Sequence, residues 1–201
     1  MTIRALVFDI GGVLEITPDL GMTERWEKHF NLQAGELNER MGNIWKAGSL
    51  GECSEEDVSE GLRTIMGMNE EQVVAFWNDL WEEYLGTLNV ELATYFASLR
   101  PRYQTAILSN SFVGAREREQ ERYLFPEMTD FIVYSHEVGL AKPDRHIYEL
   151  TCERLGLPPE EVIFLDDSEV CITGAREYGM HAILFQNNAQ AIAEIQALLN
   201  A

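Results

Sequence analysis

Five short apolar runs, most of them stopped by a polar residue that can do chemistry, limit most strongly what this chain can fold into. Ile3 to Phe8, apolar except for Arg4, stops at Asp9 just before Gly11-Gly12. Thr105 to Leu108 stops at Ser109, Phe131 to Tyr134 at Ser135, and Val162 to Leu165 at Asp166, while Ala182 to Phe185 is a fifth run of the same kind. Runs this short, without two-residue alternation, read as strands buried on both faces, the habit of parallel sheets. Helical patterns lie between them, over Asp144 to Leu155, Val170 to Tyr178 and Ala189 to Leu199. In the last, Ile192, Ile195, Leu198 and Leu199 fall on one face. Alternating strand and helix predicts an α/β fold with a doubly wound, Rossmann-like parallel sheet. In such sheets the polar residues at strand C-terminal ends converge on a crevice at the topological switch point, and Asp9, Ser109 and Asp166 hold positions of that kind.

The stretch 15–89 breaks this rhythm. Val73, Val74, Trp77, Leu80, Trp81, Tyr84 and Leu85 follow helical spacing, and Trp26, Phe30, Leu37, Met41 and Trp45 precede them. The reading is an all-helical insertion over 15–89, set into a core formed by 1–14 and 90–201. Gly48 to Glu52 and Gly67-Met68-Asn69 mark its internal turns. Aromatics at helical spacing pack in cores more often than they line sites, so the four tryptophans are assigned to the interior.

Charge excludes some partners. With 15 basic against 34 acidic residues the formal net charge is −19, a field that repels nucleic acid and anionic lipid. The same field opposes a phosphorylated ligand, so an anion site here must build its own positive potential from a cation, a lysine or helix N-termini. Cys53, Cys152 and Cys171 are odd in number and outside any CxxC pattern, which argues against disulfides and thiolate zinc sites and for a reducing cytosol. The apolar start is broken by Arg4, Asp9 and the glycine pair, unlike a signal peptide, and no stretch is long enough to span a bilayer.

The residues that could carry chemistry fall in four phrases: Phe8-Asp9-Ile10-Gly11-Gly12-Val13-Leu14, Leu108-Ser109-Asn110, Ala141-Lys142-Pro143-Asp144, and Phe164-Leu165-Asp166-Asp167. An aspartate at a strand end can simply cap a turn, but it can also attack phosphorus and form an acyl phosphate, splitting one hard displacement into two easier ones. The glycines after Asp9 allow close approach of a phosphoryl group. Asp166-Asp167 could cap a helix; facing Asp9 across the switch point, the pair would repel it unless a hard cation such as Mg²⁺ sat between them. Ser109 and Asn110 offer a hydroxyl and an amide at the expected start of a helix, where main-chain N–H groups point at anions. Lys142 is held extended by Pro143 and presents a compact ammonium.

In this order the four phrases resemble the haloacid dehalogenase-like hydrolase superfamily, over nearly the whole chain, with the insertion standing where that superfamily's helical-cap (C1) members place a cap. The resemblance implies a magnesium-dependent phosphatase acting on a small phosphorylated metabolite. Its nucleophile would be Asp9, its phosphate ligands Ser109, Asn110 and Lys142, and its metal ligands Asp9, the main-chain carbonyl of Gly11, Asp166 and Asp167. Many such phosphatases carry an acid two positions after the nucleophile; here that position is Gly11. Glu15 and Asp19 are candidate substitutes. A first motif of the form Asp-x-Gly-Gly or Asp-x-Gly-Asn is similar to a subgroup that includes sugar-1-phosphate phosphatases. Two other readings stay open: a 2-haloacid dehalogenase, which needs neither leaving-group acid nor metal, and a catalytically weak binding or regulatory protein of the same fold. Oligomeric state is not addressed by any of these signals.

Overall fold

The computed structural model describes residues 2–201. Strands β1 (Ala5–Phe8), β4 (Gln104–Ser109), β5 (Phe131–Tyr134), β6 (Val162–Asp166) and β7 (His181–Leu184) form one parallel sheet in the order β5-β4-β1-β6-β7. The chain builds outward from β1 in one direction through β4 and β5, then returns to the other side for β6 and β7. The order therefore reverses around β1, and the ends of β1, β4 and β6 border the resulting crevice.

Both faces of the sheet are covered, which is why its strands carry uninterrupted apolar runs. Leu6 and Phe8 point into one cluster with Leu92 and Phe96 of helix α5 (Val90–Ser98) and Ile195 of α11 (Asn188–Leu199). Ala5 and Val7 point into the other, with Ile147 and Tyr148 of α9 (Arg145–Leu155) and Ile172 of α10 (Glu169–Tyr178). Strand and helix bounds depart from the sequence reading by at most a residue or two at most ends. Helix α9 is capped by Asp144, whose side chain accepts from the His146 N–H at 2.9 Å.

Helices α1 (Met22–His29), α2 (Glu36–Ser49), α3 (Glu55–Thr64) and α4 (Glu70–Leu85) occupy the insertion and close their own core around Trp26, Leu37, Met41, Leu62 and Phe76. Helices α3 and α4 start in reciprocal capping boxes, Ser54 with Asp57 and Asn69 with Gln72. One expectation is corrected. The insertion is not all-helical: it opens with β2 (Glu15–Ile16) and closes with β3 (Thr87–Leu88), which pair antiparallel, Glu15 opposite Leu88 and Ile16 opposite Thr87. Strands of two residues are too short to leave a periodic signature.

A second cluster joins insertion to core, with Val58, Trp81 and Leu85 packed on Phe112 and on Ala115 of α6 (Ala115–Tyr123). Arg118 reinforces it, pairing with Glu55 at 2.8 Å and lying 4.2 Å over the Trp81 ring. No helix among the described residues is long and apolar enough to cross a membrane.

Candidate active site

Asp9 stands one residue past β1, and its backbone N–H donates to the Leu165 carbonyl at 2.9 Å, tying it to β6. Its Oδ1 accepts from the Ile10 N–H at 2.8 Å and lies 2.8 Å from the Lys142 ammonium. The same ammonium lies 2.7 Å from Asp166 Oδ2 and donates to the Leu108 carbonyl at 3.0 Å. One buried cation thus links the ends of β1, β4 and β6. Asp166 is fully buried, and its Oδ1 accepts from the Ser168 N–H at 2.8 Å.

Asp167 is exposed and turns back toward this group, so that oxygens of Asp9, Asp166 and Asp167 lie within 4.8 Å of one another. Gly12 makes this approach possible: its φ is +72°, and a Cβ there would sit 2.2 Å from Asp167 Oδ2. Gly11 is different. It is exposed, its φ lies outside the left-handed region, and a Cβ would meet nothing within 4 Å.

Burial, and then repulsion from Asp166, push the Asp9 carboxyl up to about 7 against the lowering pull of Lys142. Burial and Asp166 likewise raise Asp167. Burial works against the charge of Lys142, but the Asp9 and Asp166 carboxylates outweigh it and hold the ammonium above its ordinary value. One lysine therefore does not neutralise three carboxylates, and a further positive charge would relieve them. The donors are all oxygens, the set a hard divalent cation prefers, and the clearance at Gly12 admits the third carboxylate, so Asp9, Asp166 and Asp167 fit such an ion.

Ser109 ends β4 and is 2% exposed, and its hydroxyl makes no hydrogen bond among the described residues. Asn110 follows, with its side chain committed: Oδ1 accepts from the Lys142 N–H at 2.8 Å and Nδ2 donates to the Lys142 carbonyl at 2.9 Å. This amide fixes the backbone that carries the lysine. The helix expected to start at Ser109-Asn110 begins only at Ala115, because the intervening residues cross to other elements, with Ser111 N–H donating to Ser135 Oγ and Val113 N–H to the Gly48 carbonyl. No N-terminal turn of α6 therefore faces the site at Ser109.

Glu119, which the sequence did not single out, stands beside the candidate acid Glu15. Glu15 and Glu119 are both buried, each with one carboxyl oxygen lacking a partner among the described residues. Burial, with Glu119 beside it, pushes Glu15 up to about 9, and burial pushes Glu119 up to about 7 although the Tyr134 hydroxyl donates to it at 2.6 Å. Asp19, the other candidate acid, is exposed and caps a turn by accepting from the Gly21 N–H at 3.0 Å. Beside Asn110 and Ala141 a cavity of about 490 Å³ opens between the insertion and the core, with Trp45 in its wall.

The haloacid dehalogenase-like hydrolase pattern matches residues 3–179. The chain belongs to this family. Among curated relatives, the pig bifunctional epoxide hydrolase 2 is 29% identical over 98% of this chain, which spans 39% of that protein. The chain spans less than half the length of each of the curated relatives it matches first. A Mycobacterium tuberculosis phosphatase is 26% identical over 94% of this chain and 90% of its own length. A Pseudomonas (S)-2-haloacid dehalogenase is 30% identical over 90% of this chain and 83% of its own. A solved enzyme of the same family, from Bacteroides thetaiotaomicron in complex with magnesium and inorganic phosphate, shares the fold with a TM-score of 0.79 at 23% identity, covering 94% of this chain and 98% of that one. The chain has the α/β core of this family.

Proposed function

We propose that this hydrolase is a magnesium-dependent phosphatase that hydrolyses a small phosphorylated metabolite by way of a phosphoaspartate on Asp9. The observation that carries the reading is the meeting of Asp9, Asp166 and Asp167 within 4.8 Å, with Lys142 bridging the first two. When bound, Mg²⁺ held by these carboxylates and the Gly11 carbonyl supplies the positive charge that offsets their repulsion and that of the phosphate.

The protein does the rest with its own groups. A carboxylate oxygen of Asp9 attacks phosphorus while the bond to the leaving oxygen breaks, giving an aspartyl phosphate. Oδ1 is held by Ile10 and Lys142, so the carboxyl plane is set before substrate arrives. Ser109 Oγ, free of other partners among the described residues, holds a non-bridging oxygen of the phosphoryl group, and the Lys142 ammonium, directed at Asp9, Asp166 and the Leu108 carbonyl, supplies positive charge beside it, with Asn110 locking the lysine's backbone. Water then attacks the aspartyl phosphate, releasing inorganic phosphate and restoring Asp9. Residues 15–89 act as the helical cap of a C1-type member, and the free cysteines suit a reducing cytosol. The form of the first motif taken alone would point to a sugar phosphate; the lining of the cavity beside the site argues for another leaving group.

The test is inorganic phosphate release from a panel of small esters. Release that needs Mg²⁺, stops in EDTA and is lost in Asp9→Asn is the expected result. Gly11, which gives no acid for the leaving group, favours a second reading as a 2-haloacid dehalogenase; chloride release from 2-chloropropionate in EDTA would establish it and end the phosphatase reading.

A further inference from the structure

The cavity that opens beside Asn110 and Ala141 has largely apolar walls, and several of its polar groups are already paired. Met22, Leu37, Trp45, Phe76 and Leu80 from the insertion meet Phe112 from the core around about 490 Å³, a size typical of ligand pockets. Ser49 Oγ donates to the Trp45 carbonyl at 2.9 Å, and Ser135 Oγ donates to the Ser49 carbonyl at 2.8 Å. Ser111 Oγ shares a 2.6 Å hydrogen bond with His136 Nδ1. The Asn110 amide is taken at both ends by Lys142. Glu83 Oε2 accepts from the N–H groups of Leu20 and Met22 at 3.0 and 3.1 Å.

A leaving group rich in hydroxyls would exchange water for this wall and find partners chiefly in Thr17, Thr23, Asn38 and Tyr84, and any buried hydroxyl left unpaired is costly. An apolar leaving group meets no such penalty and gains by burial. The lining contains no lysine or arginine, and its one charged side chain is Glu83, so a second phosphate or a carboxylate on the leaving group would be repelled. Asn110 and Ala141, neighbours of Ser109 and Lys142, line the end of the cavity nearest the phosphate ligands.

We infer that this cavity seats an alkyl or aryl leaving group, so that the phosphatase proposed above, on which this inference rests, takes phosphate monoesters of apolar alcohols in preference to sugar phosphates. The experiment is a series of n-alkyl phosphates of increasing length, kept below micelle-forming concentrations, against glucose 1-phosphate, with Mg²⁺ and the intact chain. kcat/KM is expected to rise roughly threefold per added methylene until the cavity is filled. A flat series, or glucose 1-phosphate as the best substrate, overturns the inference while phosphate release keeps the phosphatase reading. If nothing is hydrolysed, that reading fails, and binding of n-alkylphosphonates followed by tryptophan fluorescence decides the inference alone. Affinity that climbs with chain length upholds it, and affinity independent of length overturns it.

Discussion

Gly11 holds the position from which an acid would protonate the leaving oxygen, and its surroundings leave room for one. A Cβ at this position would meet no atom within 4 Å and the φ is ordinary, so Gly11→Asp should be tolerated. Its expected effect is a gain in kcat of up to ~10²-fold on alkyl phosphates, whose leaving groups need a proton, and little change on p-nitrophenyl phosphate, whose leaving group does not. Equal effects on both esters would show that leaving-group protonation is not what Gly11 lacks. Lys142 invites the opposite experiment. Its side chain is 1% exposed between two carboxylates, so Lys142→Met strands buried negative charge and should cost about 3–5 kcal/mol in urea unfolding, part of it regained on adding Mg²⁺. A loss below ~1 kcal/mol, or no response to Mg²⁺, would contradict the charge balance described for the site.

The β2–β3 ribbon carries Glu15 into a buried spot facing Glu119 of α6, with Arg122 and Asp9 also acting on it. Because its folded pKa, about 9, stands above the ordinary 4.5, the folded state holds this proton more tightly than the unfolded one. The resulting stability is complete below about 4.5 and drains away as pH rises toward about 9. Glu15→Gln should therefore raise Tm relative to wild type at pH 8 and give little change at pH 4.5, which thermal denaturation at the two pH values would check; equal shifts at both would contradict the buried-acid account. The strands of the large sheet were legible in sequence because each is buried on both faces and so must be apolar throughout. The ribbon was not, since each of its strands has only two residues and Ile16 is 57% exposed. The strand-end acids Asp9 and Asp166 were legible for a related reason: an apolar run has to end somewhere, and topology brings those ends together. Asn110's partnership with Lys142 was hidden because it spans 32 positions and appears only when β4 is placed beside the loop before α9. The cavity was hidden likewise, since Trp45 lines it only through the meeting of insertion and core.

With a net charge of −19, the molecule as a whole repels the dianion it is proposed to bind. Added NaCl screens this far field, with a Debye length of about 8 Å near physiological ionic strength, more than it weakens contacts inside the site. At saturating Mg²⁺, kcat/KM for a phosphate ester is expected to rise as NaCl is brought from low concentration toward ~0.15 M. A steady fall would mean that positive charge near the mouth governs capture. The pairing of Glu15 with Leu88 and of Ile16 with Thr87 has a consequence of another kind. Opposed residues in such a ladder stand about 5 Å apart, so the chain departs from the sheet and rejoins it at practically one point. A tight hairpin in place of the four helices would span that gap, so closing the chain is not what holds the block in place; its apolar seat on Phe112 and Ala115 is.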